Sequence, residues 1–176
     1  LNFKDLSFTV VYNELMGEFI DKKKYIPNNY INKGNKCLLT NGDNTAIYEQ
    51  FAGEYNEYFG VKQSSFITLM VNPESDYSCV FNNVLFNSEL YIDDIDQPEK
   101  TLTHIHAYSE YQDSGRVPLV LGRNKNLQRK FREWKALIPR EGRERMRNTW
   151  IFLKLELDNT DNGKLVLHDI IINYSK

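Results

Sequence analysis

Hydrophobic residues in the first fifty positions fall into short runs, each bounded by polar residues that favour turns. Such runs, rich in β-branched and aromatic residues and spaced roughly 8 to 12 residues apart, are typical of consecutive antiparallel strands. The Asn41-Gly42-Asp43-Asn44 segment between two of them predicts a hairpin, because Asn and Gly tolerate a positive φ. The predicted strands are Ser7 to Asn13, Glu18 to Asp21, Asn28 to Asn32, Lys36 to Thr40 and Thr45 to Gln50.

This pattern predicts a propeller-blade-like antiparallel meander over residues 1–60. One blade cannot bury both of its faces alone, so we expect the meander to be incomplete within this chain. Turns are predicted at Glu14 to Gly17 and at Lys33-Gly34-Asn35. The segment Gly53 to Gly60 is interpreted as a linker with aromatic anchors.

Residues 61–176 continue the alternating pattern and predict one antiparallel β-sandwich with little helix, so the predicted fold class is mainly β. Two hairpins are predicted inside it, one around Asn82-Asn83 and one around Asp161-Asn162-Gly163. The predicted strands are Ser64 to Val71, Tyr77 to Phe81, Val84 to Tyr91, Thr101 to Tyr108, Val117 to Leu121, Trp150 to Leu157 and Lys164 to Tyr174.

The segment Leu127 to Ile138 fits two periodicities. As a helix it places Leu127, Phe131, Trp134 and Ile138 on one face, and this pattern scores better. As a strand it places Trp134, Ala136 and Ile138 on one face, with Phe131 opposite. We predict a short helix that ends at Pro139.

Composition narrows the class of protein. Hydrophobic residues make up 41% of the chain and charged residues 26%, which is enough to form a core. The net charge of −2 excludes a uniformly basic nucleic-acid binder. No apolar run reaches the length of a membrane span, and no signal peptide is visible.

Because the chain begins at Leu1, we expect it to be a fragment, a mature product or a trimmed chain. Cys37 and Cys79 have no metal-binding spacing, so we predict two free thiols, as in a reducing cytoplasm.

Charge is unevenly placed along the chain. Between Arg123 and Arg147, ten basic residues are interrupted by only three acidic ones, so the segment carries +7 and the rest of the chain −9. Three interpretations stay open: contact with a phosphate backbone, a solvated face, or a seam between the basic segment of one copy and the acidic loop of the next. The basic residues are Arg123, Lys125, Arg129, Lys130, Arg132, Lys135, Arg140, Arg143, Arg145 and Arg147. Much of the negative charge of the rest of the chain lies in an acidic patch formed by Glu89, Asp93, Asp94, Asp96 and Glu99.

Candidates for chemistry are few. His104 and His106 alternate along a predicted strand and share a face, and Glu110 follows four residues later. This partial pattern resembles the first metal motif of cupins, but the glycines expected around it are absent and no Pro-Gly turn precedes His168. The alternative is a solvated strand face without metal. The chain has no nucleophile elbow and no phosphate-binding glycine loop.

Several short segments occur in an order and spacing that match a known family. They are Val11 to Glu14, Tyr25 to Pro27, Val80 to Asn83, Ser109 to Gly115, Phe131 to Trp134, Ile138 to Arg140, Arg145 to Trp150 and Leu167 to Ile171. Together they resemble the propeller-like blade and C-terminal part of the large stabilization or muzzle-type tail proteins of crAss-like bacteriophages of gut Bacteroidales.

The resemblance implies a structural virion protein at the tail or neck of a short-tailed phage. It would be made in the host bacterial cytoplasm and be present in several copies in a ring around the DNA channel. Its expected partners are other copies of itself, neighbouring tail or portal proteins, and passing DNA contacted without sequence preference. The resemblance supplies no catalytic residues, so we expect no enzymatic activity and no cofactor. The alternatives are a glycan- or receptor-binding sandwich and a cupin-like metalloenzyme.

Overall fold

The computed structural model describes residues 8–23, 25–42, 46–74 and 76–176. The chain divides into two compact units, Leu1–Val61 and Lys62–Lys176. The regular secondary structure of the described residues is strand throughout, which confirms the mainly β prediction. None of these residues forms a helix that could cross a membrane. The assignment of 1–60 and 61–176 as separate domains stays a prediction.

The strands before residue 63 form three small sheets. β1 pairs with β2, β4 lies between β3 and β5, and β6 pairs with β7, so the predicted meander is divided between separate sheets. The strands are β1 (Thr9–Asn13), β2 (Glu18–Lys23), β3 (Asn29–Lys33), β4 (Lys36–Thr40), β5 (Ile47–Glu49), β6 (Glu57–Tyr58) and β7 (Val61–Lys62).

Local turn chemistry in this part of the chain was predicted well. β3 and β4 meet at Gly34, whose φ of 63° is left-handed. β4 and β5 pair as the predicted hairpin, although Asp43, Asn44 and Thr45 lie outside the described residues, as does Ser7. The predicted linker from Gly53 to Gly60 contains strand β6.

The second unit contains two antiparallel sheets. One has four strands in the order β12-β11-β16-β8. The other has six, in which β9 pairs with β17 along one edge and with β10, β14 and β15 along the other, and β14 also pairs with β13. The strands are β8 (Ser65–Val71), β9 (Cys79–Ile92), β10 (Ile95–Asp96), β11 (His104–Tyr108), β12 (Val117–Pro118), β13 (Leu127–Lys130), β14 (Glu133–Leu137), β15 (Arg147–Asn148), β16 (Ile151–Leu157) and β17 (Lys164–Ser175).

Both sheets of the second unit contribute to one hydrophobic core, as a sandwich requires. Phe86 of β9 and Trp134 of β14 meet Ile105 of β11 and Leu155 of β16 in a single buried cluster. The sheets are linked at one side, where Leu127 donates a hydrogen bond to the carbonyl of Val120. The alternation of apolar residues along each strand therefore supplies the layer that faces the other sheet.

The helix predicted over Leu127 to Ile138 is wrong. The segment is a hairpin in which β13 and β14 pair antiparallel, with Leu127 opposite Ala136. Phe131 occupies the turn with a φ of 58° and is 89% exposed, so it shares no face with Trp134. The helical interpretation requires Phe131 to be buried on one face with Trp134, and Phe131 is exposed. The pairing of β14 with β9 decides that the segment is a hairpin.

The hairpin predicted around Asn82-Asn83 is also wrong. These residues lie inside β9, a continuous strand of 14 residues. Asn83 is held on both sides, because it is opposite Leu137 of β14 and Asn173 of β17. Pairing on both edges keeps two turn-favouring residues extended.

The predicted hairpin of Trp150 to Leu157 with Lys164 to Tyr174 is wrong as well. β16 lies between β11 and β8 in one sheet, whereas β17 pairs with β9 in the other. The connection is a turn between layers, closed by Asn159, whose side chain bonds both the N–H and the carbonyl of Gly163. Gly163 is buried there, and a Cβ atom would lie 2.8 Å from the side chain of Leu90.

Candidate interaction site

The basic segment does not form a single surface. Arg123 and Lys125 lie in the turn before β13, and Arg129, Lys130 and Arg132 belong to the β13–β14 hairpin with Lys135. The remaining four arginines occupy the loop that follows β14 and the start of β15, which we call the arginine loop: Arg140, Arg143, Arg145 and Arg147.

The basic residues of the hairpin lie near the predicted acidic patch. Arg129 lies 5.1 Å from the ring of Trp134 and forms a 3.1 Å ion pair with Glu99. The pKa of Glu89 is lowered, first because Tyr91 donates a 2.7 Å hydrogen bond to it, with smaller contributions from His168 and Arg132. These pairs form within the unit. A partner that binds Arg129 or Glu99 must therefore first break their ion pair.

The arginine loop is held rigidly at its C-terminal end. Met146 is buried in the core, and its carbonyl accepts a 3.0 Å hydrogen bond from the N–H of Phe81. The side chain of Gln112 clamps the backbone, donating to the carbonyl of Arg145 at 3.2 Å and accepting from the N–H of Arg147 at 2.8 Å. The backbone carrying two exposed guanidinium groups is therefore fixed before any partner arrives.

The four arginines of the arginine loop are exposed. Within the described part of the chain, none of them is within ion-pair distance of a carboxylate. Beside them lies an open hollow of about 610 Å³, which we call the arginine hollow. Its lining residues are Val80, Tyr111, Gln112, Glu141, Glu144, Arg145 and Arg147.

The acidic patch has its own rigid point, the turn between β9 and β10. Asp93 and Asp94 have φ values of 51° and 61°, as a two-residue turn with two left-handed positions needs. Asp96 is exposed, and Ile95 is 65% exposed. The N–H of Gln97 donates to the carbonyl of Leu90 at 2.7 Å and extends the ladder below the turn. We call residues 93–96 the acidic tip.

The acidic tip and the arginine hollow lie at opposite ends of one strand. The tip follows Ile92, the last residue of β9, whereas Arg147 is opposite Val80 at the beginning of β9. At about 3.3 Å per residue, the ends of this strand are about 45 Å apart. The two features therefore cannot contact each other within one copy of the unit.

His104 and His106 lie on one face of β11, as predicted, but each has its own carboxylate. Nδ1 of His104 is 3.3 Å from Asp158, and Nε2 of His106 is 2.6 Å from Asp113. Glu110 is exposed in the next loop. Among the residues that the structure describes, no group of three His, Cys, Asp or Glu side chains could hold a metal ion.

An ionic network on the same sheet was missed in the sequence. Nη2 of Arg116 donates to both carboxylate oxygens of Asp158, at 2.7 and 2.8 Å, and Nε donates to Glu156 at 3.2 Å. Burial tends to raise the pKa of Glu156, but Arg116 and other donors outweigh it and the pKa is lowered. The pKa of Arg116 is raised by the same two carboxylates. The available signal was the pair of opposite charges two residues apart, Lys154 and Glu156, within a strand that is otherwise apolar.

Gln112 and Tyr111 were also missed as parts of the candidate site. Both lie in the Ser109 to Gly115 segment, which carried the family resemblance without an assigned role. Ser109 shapes this loop, because its hydroxyl oxygen accepts from the N–H groups of Tyr111 and Gln112, both at 3.2 Å. Polar residues that build a clamp have no distinctive spacing, so the sequence alone did not mark them.

The first unit contains a separate cavity of about 680 Å³. Its aromatic wall includes Tyr25 and Tyr58, with ring centroids 4.6 Å apart, and Tyr48 and Phe59, 5.0 Å apart. Gln50 donates to the hydroxyl of Tyr25 at 3.3 Å. Aromatic walls with amide and carboxylate groups can bind sugar rings by stacking and hydrogen bonding.

The chain is similar to known phage proteins. The family model of the crassvirus muzzle protein C-terminal domain matches residues 53–141. The muzzle protein of Bacteroides phage crAss001 is 33% identical over 185 residues, an alignment that covers 98% of this chain. The chain spans only 13% of the length of that relative.

Proposed function

Because this chain belongs to the family of crassvirus muzzle protein C-terminal domains, we propose that it is part of a structural protein of the virion. It acts at the tail or neck of a short-tailed phage, in a ring of copies around the DNA channel, and has no enzymatic activity. It is made in the host cytoplasm and is then assembled with neighbouring tail or portal proteins. The observation that carries this proposal is the 33% identity to a muzzle protein along nearly the whole chain.

The arginine loop supports a role in assembly. Its arginines are exposed, and the backbone of Arg145 and Arg147 is fixed by Gln112. Because the backbone is already fixed, only the arginine side chains lose conformational freedom when the loop binds an anionic partner. In the proposed ring, that partner is either an adjacent subunit or the phosphate backbone of passing DNA.

Charge reversal in the parent protein tests this proposal. We expect Arg140→Glu, Arg143→Glu and Arg145→Glu together to reduce ring assembly or retention of packaged DNA, measured by electron microscopy and by the DNA content of purified particles. Arg123→Glu with Lys125→Glu is the control, because these residues are exposed elsewhere in the basic segment. Unaltered assembly and unaltered DNA retention in the triple variant would contradict the proposed role of the loop.

A glycan-binding module is a second candidate, favoured by the aromatic cavity of the first unit. We expect Tyr48→Ala to abolish any binding of the chain on a glycan array, because Tyr48 forms part of the wall. Tyr12→Ala is the control, since Tyr12 is half exposed and lies outside the cavity. Absence of binding by the native chain across a broad array would reject this candidate.

A further inference from the structure

We propose that the acidic tip of one copy of this chain docks in the arginine hollow of the next copy. The inference rests on the proposed function, because it names the partner of the arginine loop within the assembly. It requires complementary charge, complementary shape and a geometry that forces the contact to be between copies.

The charges are opposite in sign. The acidic tip carries three aspartates and no basic residue between positions 93 and 96. The arginine loop carries four arginines and two glutamates, a net charge of +2, although the two arginines and two glutamates that line the hollow itself cancel. Glu141 and Glu144 also line the hollow, so the aspartates must approach the side formed by Arg145 and Arg147. Opposite charges across an interface both attract the partners and select their orientation.

The shapes are complementary as well. The acidic tip is a two-residue turn that projects from the end of β9, with Ile95 65% exposed beside the aspartates. The arginine hollow is concave and includes two apolar contacts, Val80 and Tyr111, the latter 77% exposed. Ile95 can contact Val80 and Tyr111 while the neighbouring aspartates contact the arginines, so apolar surface meets apolar surface and each negative charge meets a positive one.

The geometry permits a head-to-tail contact between copies. Since tip and hollow lie at opposite ends of β9, docking in this arrangement leaves one free tip and one free hollow on every pair of copies. Contacts of this heterologous kind continue from copy to copy, and they close into a ring when the rotation between neighbours permits. An antiparallel twofold dimer would form both contacts at once and leave neither feature free, so association that stops at the dimer would contradict the ring arrangement.

Two charge-reversed variants of the 176-residue chain test the proposal by sedimentation velocity. Asp93→Lys/Asp94→Lys makes the tip basic and keeps the native arginines of the hollow, and Arg145→Glu/Arg147→Glu keeps the native aspartates of the tip and makes the hollow acidic. We expect each alone to associate at least tenfold more weakly than the native chain. An equimolar mixture should restore association to within about threefold, because each tip then meets a hollow of opposite charge. Association of the native chain should weaken as salt screens the contact.

Arg123→Glu/Lys125→Glu is the matched control and should associate like the native chain. Near-ultraviolet circular dichroism checks folding, and Arg145→Gln/Arg147→Gln replaces the glutamate variant if that one is unfolded. Native-like association of the hollow variant, failure of the mixture to restore association, or a native chain that stays monomeric would overturn the proposal. Loss of binding to duplex DNA without loss of self-association would instead assign the hollow to phosphate. Absence of the parent protein from purified particles would contradict the proposed function, which these measurements on the isolated chain do not address.

Discussion

The two units use similar strands but bury them very differently. In the second unit, strands from two sheets place residues such as Phe86, Ile105 and Leu153 out of contact with solvent. In the first unit, Phe19 is 71% exposed. Among the described residues of that unit, only Pro27 and Leu39 are buried. Alternation of apolar and polar residues therefore suffices to form a strand, whereas burial requires a second layer.

The β1–β2 hairpin shows this difference most clearly. Tyr12 and Phe19 are cross-strand partners with ring centroids 5.1 Å apart in an edge-to-face contact. Both rings are nevertheless at least half exposed, because a two-stranded sheet has no facing layer of its own. β16 has the same kind of apolar alternation, and its Ile151, Leu153 and Leu155 are fully buried against the six-stranded sheet.

The largest expected effect contrasts one phenylalanine from each unit. Phe86→Ala should reduce the free energy of unfolding of the second unit by about 3–5 kcal/mol, because it leaves a cavity in a packed core. Urea denaturation followed by tryptophan fluorescence measures this, since Trp134 and Trp150 both belong to the second unit. Phe19→Ala should change stability by less than about 0.5 kcal/mol, measured by far-ultraviolet circular dichroism. Equal effects of the two substitutions would contradict the contrast.

A smaller effect is expected for buried polar side chains. Asn159→Ala should cost about 1–3 kcal/mol, because it leaves the buried N–H and carbonyl of Gly163 without their partner. The control is Asn29→Ala in the first unit, where the side chain donates to Thr40 at 3.1 Å on an exposed surface. We expect no measurable change there in the urea midpoint. A loss below about 0.5 kcal/mol for Asn159→Ala would show that water replaces the amide.

One group in each unit should make stability depend on pH, and the two dependences run in opposite directions. The N–H of Gly115 and then His106 lower the pKa of Asp113 below 3.8, so its contribution to stability is present above that value and lost as pH falls through the folded pKa. For Lys23, burial is the largest single influence and lowers the pKa. The hydrogen bonds that its ammonium group donates to Asp21 and Tyr58 together outweigh burial, so the net pKa is above 10.5. Its contribution is present below 10.5 and lost as pH rises through the folded pKa.

Urea midpoints across the acidic and alkaline ranges measure these contributions. Asp113→Asn should flatten the acid side of the tryptophan-detected transition, and Lys23→Met should flatten the alkaline side of the circular dichroism transition. An unchanged acid profile in Asp113→Asn would mean that the His106 and Gly115 contacts add nothing to stability.

The smallest effect is expected at Leu15, which is 99% exposed in the turn between β1 and β2. Leu15→Ser should leave both transitions unchanged within about 0.5 kcal/mol, because no apolar contact is lost. Light scattering of the two chains would show whether the native chain is clearly less soluble or less stable than the Leu15→Ser variant. Destabilisation by this substitution would show that the turn is covered in solution.

Much of the local structure was readable from the sequence, and most errors concern pairing. The strands predicted as Ser64 to Val71 and Trp150 to Leu157 differ by one residue from β8 and β16. The candidate site was read only in part. The segregation of charge was visible, but the separation of the arginine loop from Arg129, and the clamp by Gln112, depend on residues far apart in the chain.

By itself, the sequence determined the strand class, the positions of most strands and turns, and the charge that each loop carries. These properties depend on neighbours within a few residues, through alternation and turn chemistry. The tertiary structure alone decided that β17 pairs with β9 and not with β16, that Leu127 to Ile138 is a hairpin, and that the acidic tip and the arginine hollow lie at opposite ends of β9. The reason is that alternation specifies which face of a strand is buried, whereas the identity of its neighbour is a long-range choice made by the packing of the whole core.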